Sequence, residues 1–232
     1  MSQVIAIVGP SGKGKSTAIL PFPELNITGL DPKKTAIINV ANKALPTKGW
    51  KKHFDTTMPI SKGGNYIETD DMKTIVDVLE FIDKSRPEIE NIVIDDAQYI
   101  MAFAYMDKAR VKGYDKFSEL AEIGFKPIDK ARELKRELYI FFLYHDELGD
   151  NGERKIKTLG KMLDNTITME GLFTVVLFAG AERNNVNGTT KYYFITNADG
   201  TCTAKSPYGM FKENRIPNDL GLVRQSIINY QS

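Results

Sequence analysis

The chain is poor in the residues that cross-link a protein or mark it for export. Among 232 residues there is one cysteine, Cys202, one tryptophan, Trp50, and two histidines, His53 and His145. A lone thiol closes no internal disulfide and suits a reducing compartment, where its expected role is packing. No stretch reaches 18 consecutive apolar residues, and the opening MSQVIAIVGP has neither a basic n-region nor a long apolar run. Neither secretion nor membrane insertion is expected, and the expected location is cytoplasmic. A surplus of charge is lacking too: 31 Lys and Arg against 30 Asp and Glu leave a formal net charge of +1. That argues against a generally basic nucleic-acid coat, so polyanion binding has to come from local patches. Repeats and low-complexity tracts are absent. With 42% hydrophobic and 26% charged residues, the chain can bury the core of one domain spanning residues 1–232.

What is present most distinctly is GPSGKGKS, Gly9 to Ser16, which fits the phosphate-cradling pattern G-x-x-x-x-G-K-[ST] at every fixed position. An apolar strand, Val4 to Val8, precedes it, and Ser16 to Leu20 can open a helix that Pro21 and Pro23 end within one or two turns. In such a loop the glycines let backbone N–H groups converge on phosphates. The expected nucleotide-binding residues are Gly9, Pro10, Ser11, Gly12, Lys13, Gly14, Lys15, Ser16 and Thr17, with Lys13 and Thr17 as helpers. Lys15 reaches the outer phosphates and Ser16 ligates Mg2+. A second signal is NIVIDD, Asn91 to Asp96, an apolar strand ending in two carboxylates. Asp95 is the candidate for the magnesium shell, and Asp96 for positioning or deprotonating the attacking water. The competing reading is a buried strand whose Asp pair caps the following helix.

Strand-like and helical runs alternate. Ala36 to Val40 reads as a strand, Asp71 to Lys84 as an amphipathic helix, Ala97 to Lys112 and Lys116 to Glu137 as further helices, and Leu138 to His145 as a strongly apolar strand. FTVVLFAGAE, a polar turn at Asn184 to Gly188 and TKYYFITN read as a hairpin, and Asn218 to Tyr230 as a last helix. The expectation is an α/β fold of P-loop type: a mostly parallel sheet flanked by helices, with a C-terminal β-hairpin. The Ala36–Val40 strand lies in the chain between the loop strand and the acidic strand, which favours the ATPase branch with an extra intervening strand. His145, ending an otherwise apolar strand, is then a candidate γ-phosphate sensor.

GPSGKGKS, NIVIDD, FFLYH and the late run TAKSPYGMF, in that order, resemble the phage-encoded nucleotide-binding proteins of the AAA/RecA-like class, whose better-known members are single-strand annealing ATPases of phage recombination. The resemblance implies a RecA-like core, ATP and Mg2+ as ligands, and ATP hydrolysis coupled to single-stranded DNA in annealing or recombination. It also implies a homo-oligomer in which a basic residue of one subunit, here Lys205, completes the neighbour's catalytic site, and a single-strand-binding protein as a partner. Where RecA-type ATPases carry a catalytic Glu after the second strand, this chain has Asn39 and Asn42, which leaves Asp96 as the default base. The glycine-flanked segment holding Arg154, Lys155, Lys157 and Lys161 follows the sensor strand, where such proteins place a DNA-binding loop. Two further patches combine cations with aromatics: Lys48 to Phe54 around Trp50, and Lys108, Arg110, Lys112, Tyr114 and Lys116. Two other functions fit the residues: a nucleotide-dependent switch with feeble hydrolysis, and a small-molecule phosphotransferase with the Arg154 to Lys161 segment as its basic lid.

Overall fold

Long runs of β-branched and aromatic residues, bounded by Gly, Pro and Asp, set the architecture. The computed structural model describes residues 2–108, 115–158, 168–186 and 188–232. Its main sheet runs β10-β9-β8-β1-β5-β4-β2-β3. The strands are β1 (Gln3–Val8), β2 (Thr35–Asn39), β3 (Tyr66–Glu68), β4 (Asn91–Asp95), β5 (Tyr139–Tyr144), β8 (Val175–Arg183), β9 (Thr190–Ile195) and β10 (Arg215–Pro217). From β8 to β3 all neighbours are parallel, whereas β9 and β10 add antiparallel at the end as the expected hairpin extended by one strand. A small antiparallel pair, β6 (Asp146–Leu148) and β7 (Arg154–Ile156), stands apart.

Every residue of β4 and β5 is buried, as parallel strands covered on both faces require. On one face Ala6, Val8, Ile94 and Phe142 pack with α1 (Met72–Ser85), α2 (Gln98–Asp107) and α3 (Asp115–Glu133). On the other, Ile5, Ile7, Val93 and Phe141 pack with Ile19, Leu30, Trp50 and α4 (Leu220–Gln231). The helices match the periodic runs, with Asp71 capping α1 through the Thr74 N–H at 2.8 Å. The expected helix from Ala97 is described only as far as Lys108, and residues 109–114 lie outside the described residues.

One expectation changes and one is met. The strand standing between β1 and the acidic β4 is β5, while β2, the Ala36–Val40 candidate, lies on the far side of β4. The extra intervening strand is therefore real, but a different part of the chain supplies it. The helix after the phosphate loop is a single 3-10 turn, Ser16–Ala18. In an α-helix the carbonyls of Thr17 and Ile19 would accept from residues 21 and 23, both prolines with no N–H. The chain instead doubles back, and Leu30 donates its N–H to the Ile19 carbonyl at 2.8 Å.

Asp219 closes that return. Its carboxylate accepts from the N–H groups of Thr28 (2.7 Å), Gly29 (3.0 Å), Gly221 (2.8 Å) and Leu222 (3.2 Å), so one side chain caps α4 and anchors the turn behind the loop. Asp219→Ala strands four donors, two of them outside the cap, and is expected to lower stability by about 2–4 kcal/mol in urea unfolding. A loss below about 0.5 kcal/mol contradicts this role.

Candidate functional site

The phosphate loop leaves β1 at the point where β5 and β8 flank it, the crevice at which parallel sheets take ligands. Gly9 runs so close to β8 that a Cβ there would lie 2.9 Å from the Ala179 carbonyl oxygen. Gly14, at φ +85°, would drive a Cβ to within 2.8 Å of the Tyr192 ring. Glycine at both positions is thus required by space, and at Gly14 by backbone conformation as well. With only one helical turn behind it, the loop's cradle depends on its own backbone amides rather than on a long helix dipole. Lys15 is buried, its Nζ donating to the carbonyls of Gly9 (2.7 Å) and Pro10 (3.0 Å). Burial pulls its pKa below the ordinary lysine range, against the raising effect of Asp96, Asp95 and Asp146.

Asp95, the last residue of β4, accepts from the Ser16 hydroxyl at 2.9 Å. Ser16 and Asp95 are thus side by side, as the magnesium assignment needs. Mg2+ keeps waters and substrate phosphates in most of its six positions, so a hydroxyl and one carboxylate are a sufficient protein share. Among the described residues no group of three or more His, Cys, Asp or Glu side chains offers a metal cage. Burial, and next the charge of Asp96, push the Asp95 carboxyl up to about 6.

Asp96 adopts φ 60°, a left-handed conformation uncommon outside glycine, which turns its side chain away from the strand's alternation. One carboxylate oxygen lies 3.5 Å from His145 Nε2, and the other pairs with the Lys43 ammonium. His145 follows β5, and its N–H is held by Gln98 Oε1 at 3.1 Å. Burial, followed by the nearby Lys15 charge, lowers the His145 pKa, so the imidazole is neutral at pH 7. The structure therefore brings Lys15, Ser16, Asp95, Asp96 and His145 together from three strand ends.

Lys43, Gln98 and Glu68 were not legible as site residues. Asn39, one of the two residues standing where a Glu was expected, bonds the Lys43 carbonyl at 2.6 Å and the Tyr66 hydroxyl at 2.5 Å, and so shapes the loop that delivers Lys43. A carboxylate does occur at this sheet edge: Glu68 of β3 is in register with Asn39, with the Tyr66 hydroxyl donating to it at 3.3 Å. The available signal for Lys43 was a cation closely following a buried strand.

The remaining candidates are dispersed. Arg154 and Lys155 belong to β7, where they pair with Asp146 (3.0 Å) and Glu147 (3.3 Å) of β6. Lys157 is exposed just beyond, and Lys161 lies outside the described residues. The segment is a hairpin tied down by Arg154, whose N–H donates to Thr201 (3.0 Å) and whose carbonyl accepts from Thr203 (2.9 Å). Lys205 bridges to Val176 of β8 through paired backbone bonds of 2.8 and 2.9 Å, three residues or roughly 10 Å back from Ala179 beside the loop. Within the chain, the cation that pairs with Asp96 is Lys43. Trp50 and Phe54 are buried, Trp50 against Tyr66 with centroids 5.2 Å apart, so neither offers a free face for a base. Arg110, Lys112 and Tyr114 lie outside the described residues, as does the Lys116 side chain.

No protein-family model and no curated protein matches the chain. Among solved structures it is similar to a KaiC-like protein from the hyperthermophilic archaeon Pyrococcus horikoshii OT3, at 12% identity over 93% of this chain and 84% of that one, with a TM-score of 0.49. The fold class is read from the chain's own sheet: α/β, mostly parallel and flanked by helices, with antiparallel strands at one end and the acidic strand one strand removed from the loop strand. No described helix is long and apolar enough to cross a membrane.

The raised Asp95 pKa carries a pH signature. A carboxyl whose folded pKa lies above its unfolded value costs no stability while both states are protonated. The cost grows as pH rises from the ordinary carboxylate range to about 6, then stays constant. Asp95→Asn removes it, so the nucleotide-free variant should be more stable than the wild type at pH 8 by on the order of 2–3 kcal/mol, with the gap closing towards pH 4.5. Thermal unfolding at the two pH values checks this, and equal melting temperatures at both contradict it.

Proposed function

We propose that the chain binds ATP with Mg2+ at the phosphate loop and hydrolyses it. The single observation carrying this reading is the convergence of Ser16 and Asp95 at 2.9 Å beside the buried Lys15. A glycine-rich turn with a purely structural role has no use for a buried ammonium, a hydroxyl and a carboxylate at one strand end. Mg2+ would be held by the Ser16 hydroxyl and the Asp95 carboxylate and would supply positive charge against the charge developing on the phosphates. Lys15 holds the outer phosphates, and the loop amides hold the inner ones. Asp96, ion-paired to Lys43 and with its other oxygen 3.5 Å from His145 Nε2, orients the attacking water. Neutral His145, against Asp96 and beside Lys15, registers whether the γ-phosphate is present.

Lys15→Ala should abolish measurable ATP binding or lower turnover about 100-fold or more while leaving the far-UV CD spectrum unchanged. Asp96→Asn should bind ATP with near-normal affinity and cleave it about 100-fold or more slowly. Turnover by Lys15→Ala at the wild-type rate removes the phosphate-loop reading. Equal, mild effects of Asp95→Asn and Asp96→Asn favour a helix-capping role for the pair.

The finer reading is an ATPase acting on single-stranded DNA in annealing or recombination, as in the phage proteins it resembles. The observation favouring it is that β7 is rooted on the sensor: the Lys157 N–H donates to the His145 carbonyl at 2.9 Å. A strand pulling on Arg154, Lys155, Lys157 and Lys161 would act directly on His145. Neutralising the four should lower single-stranded DNA affinity and reduce the logarithmic salt slope by about 0.7 for each DNA phosphate that no longer meets a cation. Unchanged binding across a salt series places the DNA elsewhere on the surface. No binding by the wild-type chain leaves the nucleotide-dependent switch or the phosphotransferase.

A further inference from the structure

Asn218 is 2% exposed, and both its side-chain nitrogen and its oxygen lack a hydrogen-bond partner. A buried amide with neither group satisfied is rare in a folded protein and points to a missing partner. It lies on the wall of a cavity of about 530 Å3, together with Glu24, Ile27, Lys191, Tyr192 and Pro217. The same two residues touch the phosphate loop: a Cβ on Gly14 would meet Tyr192 at 2.8 Å and Asn218 Oδ1 at 3.1 Å. Tyr192 and Asn218 therefore stand between the end of the loop and the cavity.

Direction decides what the cavity receives. Ser16, Asp95, Asp96 and His145 mark the outer-phosphate end, on the β5 and β4 side of β1. Tyr192 and Asn218 come from β9 and from the link between β10 and α4, on the opposite side of β1. A nucleotide whose outer phosphates meet Lys15 and Ser16 thus extends its base towards this cavity.

We infer that this cavity seats the adenine base of the bound nucleotide and that the Asn218 amide reads its edge. This rests on the phosphate-loop reading above. An amide presents one donor and one acceptor side by side, which matches the N6 amino group of adenine and its neighbouring ring nitrogen. The corresponding N7 edge of guanine presents two acceptors and leaves the amide oxygen facing one of them. Tyr192 supplies an aromatic face beside the amide. Asn218 is held firmly, because it lies between Pro217 in β10 and Asp219, whose carboxylate takes four backbone N–H groups.

The test is competition of ATP, GTP and base-free tripolyphosphate against a fluorescent ATP analogue with Mg2+, for wild type, Asn218→Leu and Asn218→Asp. Wild type should prefer ATP to GTP by about tenfold or more. Asn218→Leu, which removes the unpartnered amide while keeping its bulk, should melt no lower than wild type. Its ATP affinity should fall at least about fivefold, its preference should collapse towards unity, and tripolyphosphate should bind as before. Asn218→Asp, with two acceptors facing the N1 and N2 donors of guanine, should shift the preference towards GTP. An unchanged ATP to GTP ratio in Asn218→Leu overturns the inference. So does tripolyphosphate affinity falling in step with ATP, which makes Asn218 a support of the loop. Wild type that binds none of the three overturns the phosphate-loop reading and this one with it.

Discussion

Two carboxylates buried side by side, Asp95 and Asp96, are the constraint on which the rest of the site depends. Like charges at the end of one strand, out of reach of bulk water, repel strongly, and burial together with the Asp96 charge raises the Asp95 pKa. The fold answers each separately. Asp95 follows the alternation of β4 and meets the Ser16 hydroxyl. Asp96 breaks the alternation with a left-handed backbone and turns to Lys43 and His145. Lys15 acts on both through space without a direct bond to either, because its donors are directed to the loop carbonyls. The division gives the two acids different surroundings, one against a hydroxyl and one between an ammonium and an imidazole. It also accounts for β5 standing between β1 and β4: the intervening strand carries His145 to the same edge.

The second constraint is the pair of prolines after the loop. The absence of donors at 21 and 23 stops the helix at one turn, and the chain returns through Gly29 to bond Ile19. Gly29 approaches so closely that a Cβ would lie 2.2 Å from the Leu20 carbonyl carbon. Asp219 then ties this return to the start of α4, and Asn218 and Tyr192 close against Gly14. The C-terminal hairpin is thereby part of the phosphate loop's surroundings rather than a distant appendage. A site with little helix dipole draws its rigidity from residues about 200 positions away in the chain.

Much of this was legible in the sequence, and the reasons are local. GPSGKGKS and NIVIDD each carry their chemistry in consecutive residues, so Lys15, Ser16, Asp95 and Asp96 could be named from spacing, and the apolar run ending at His145 had the length and composition of a buried strand. Lys43, Tyr192 and Asn218 were not legible because each reaches the site from another part of the sheet, and no periodicity encodes which strands become neighbours; Gln98, which opens α2 just after Asp96, carries no motif of its own. The strand order shows the same limit: the strand expected at residues 36–40 is β2, Thr35–Asn39, but its place in the sheet is set by crossovers. Trp50 misled for a related reason. A tryptophan among lysines reads as a stacking platform, yet its ring packs on Tyr66, while the lysines flanking it remain outside.

The most direct test of the central claim is a crystal structure with Mg2+ and a non-hydrolysable ATP analogue. The account predicts that Lys15 Nζ exchanges the Gly9 and Pro10 carbonyls for the outer phosphates, with Ser16 and Asp95 at the Mg2+ ion and Asp96 facing the γ-phosphate. A nucleotide bound elsewhere, or Lys15 still seated on its own loop with the nucleotide in place, would contradict it.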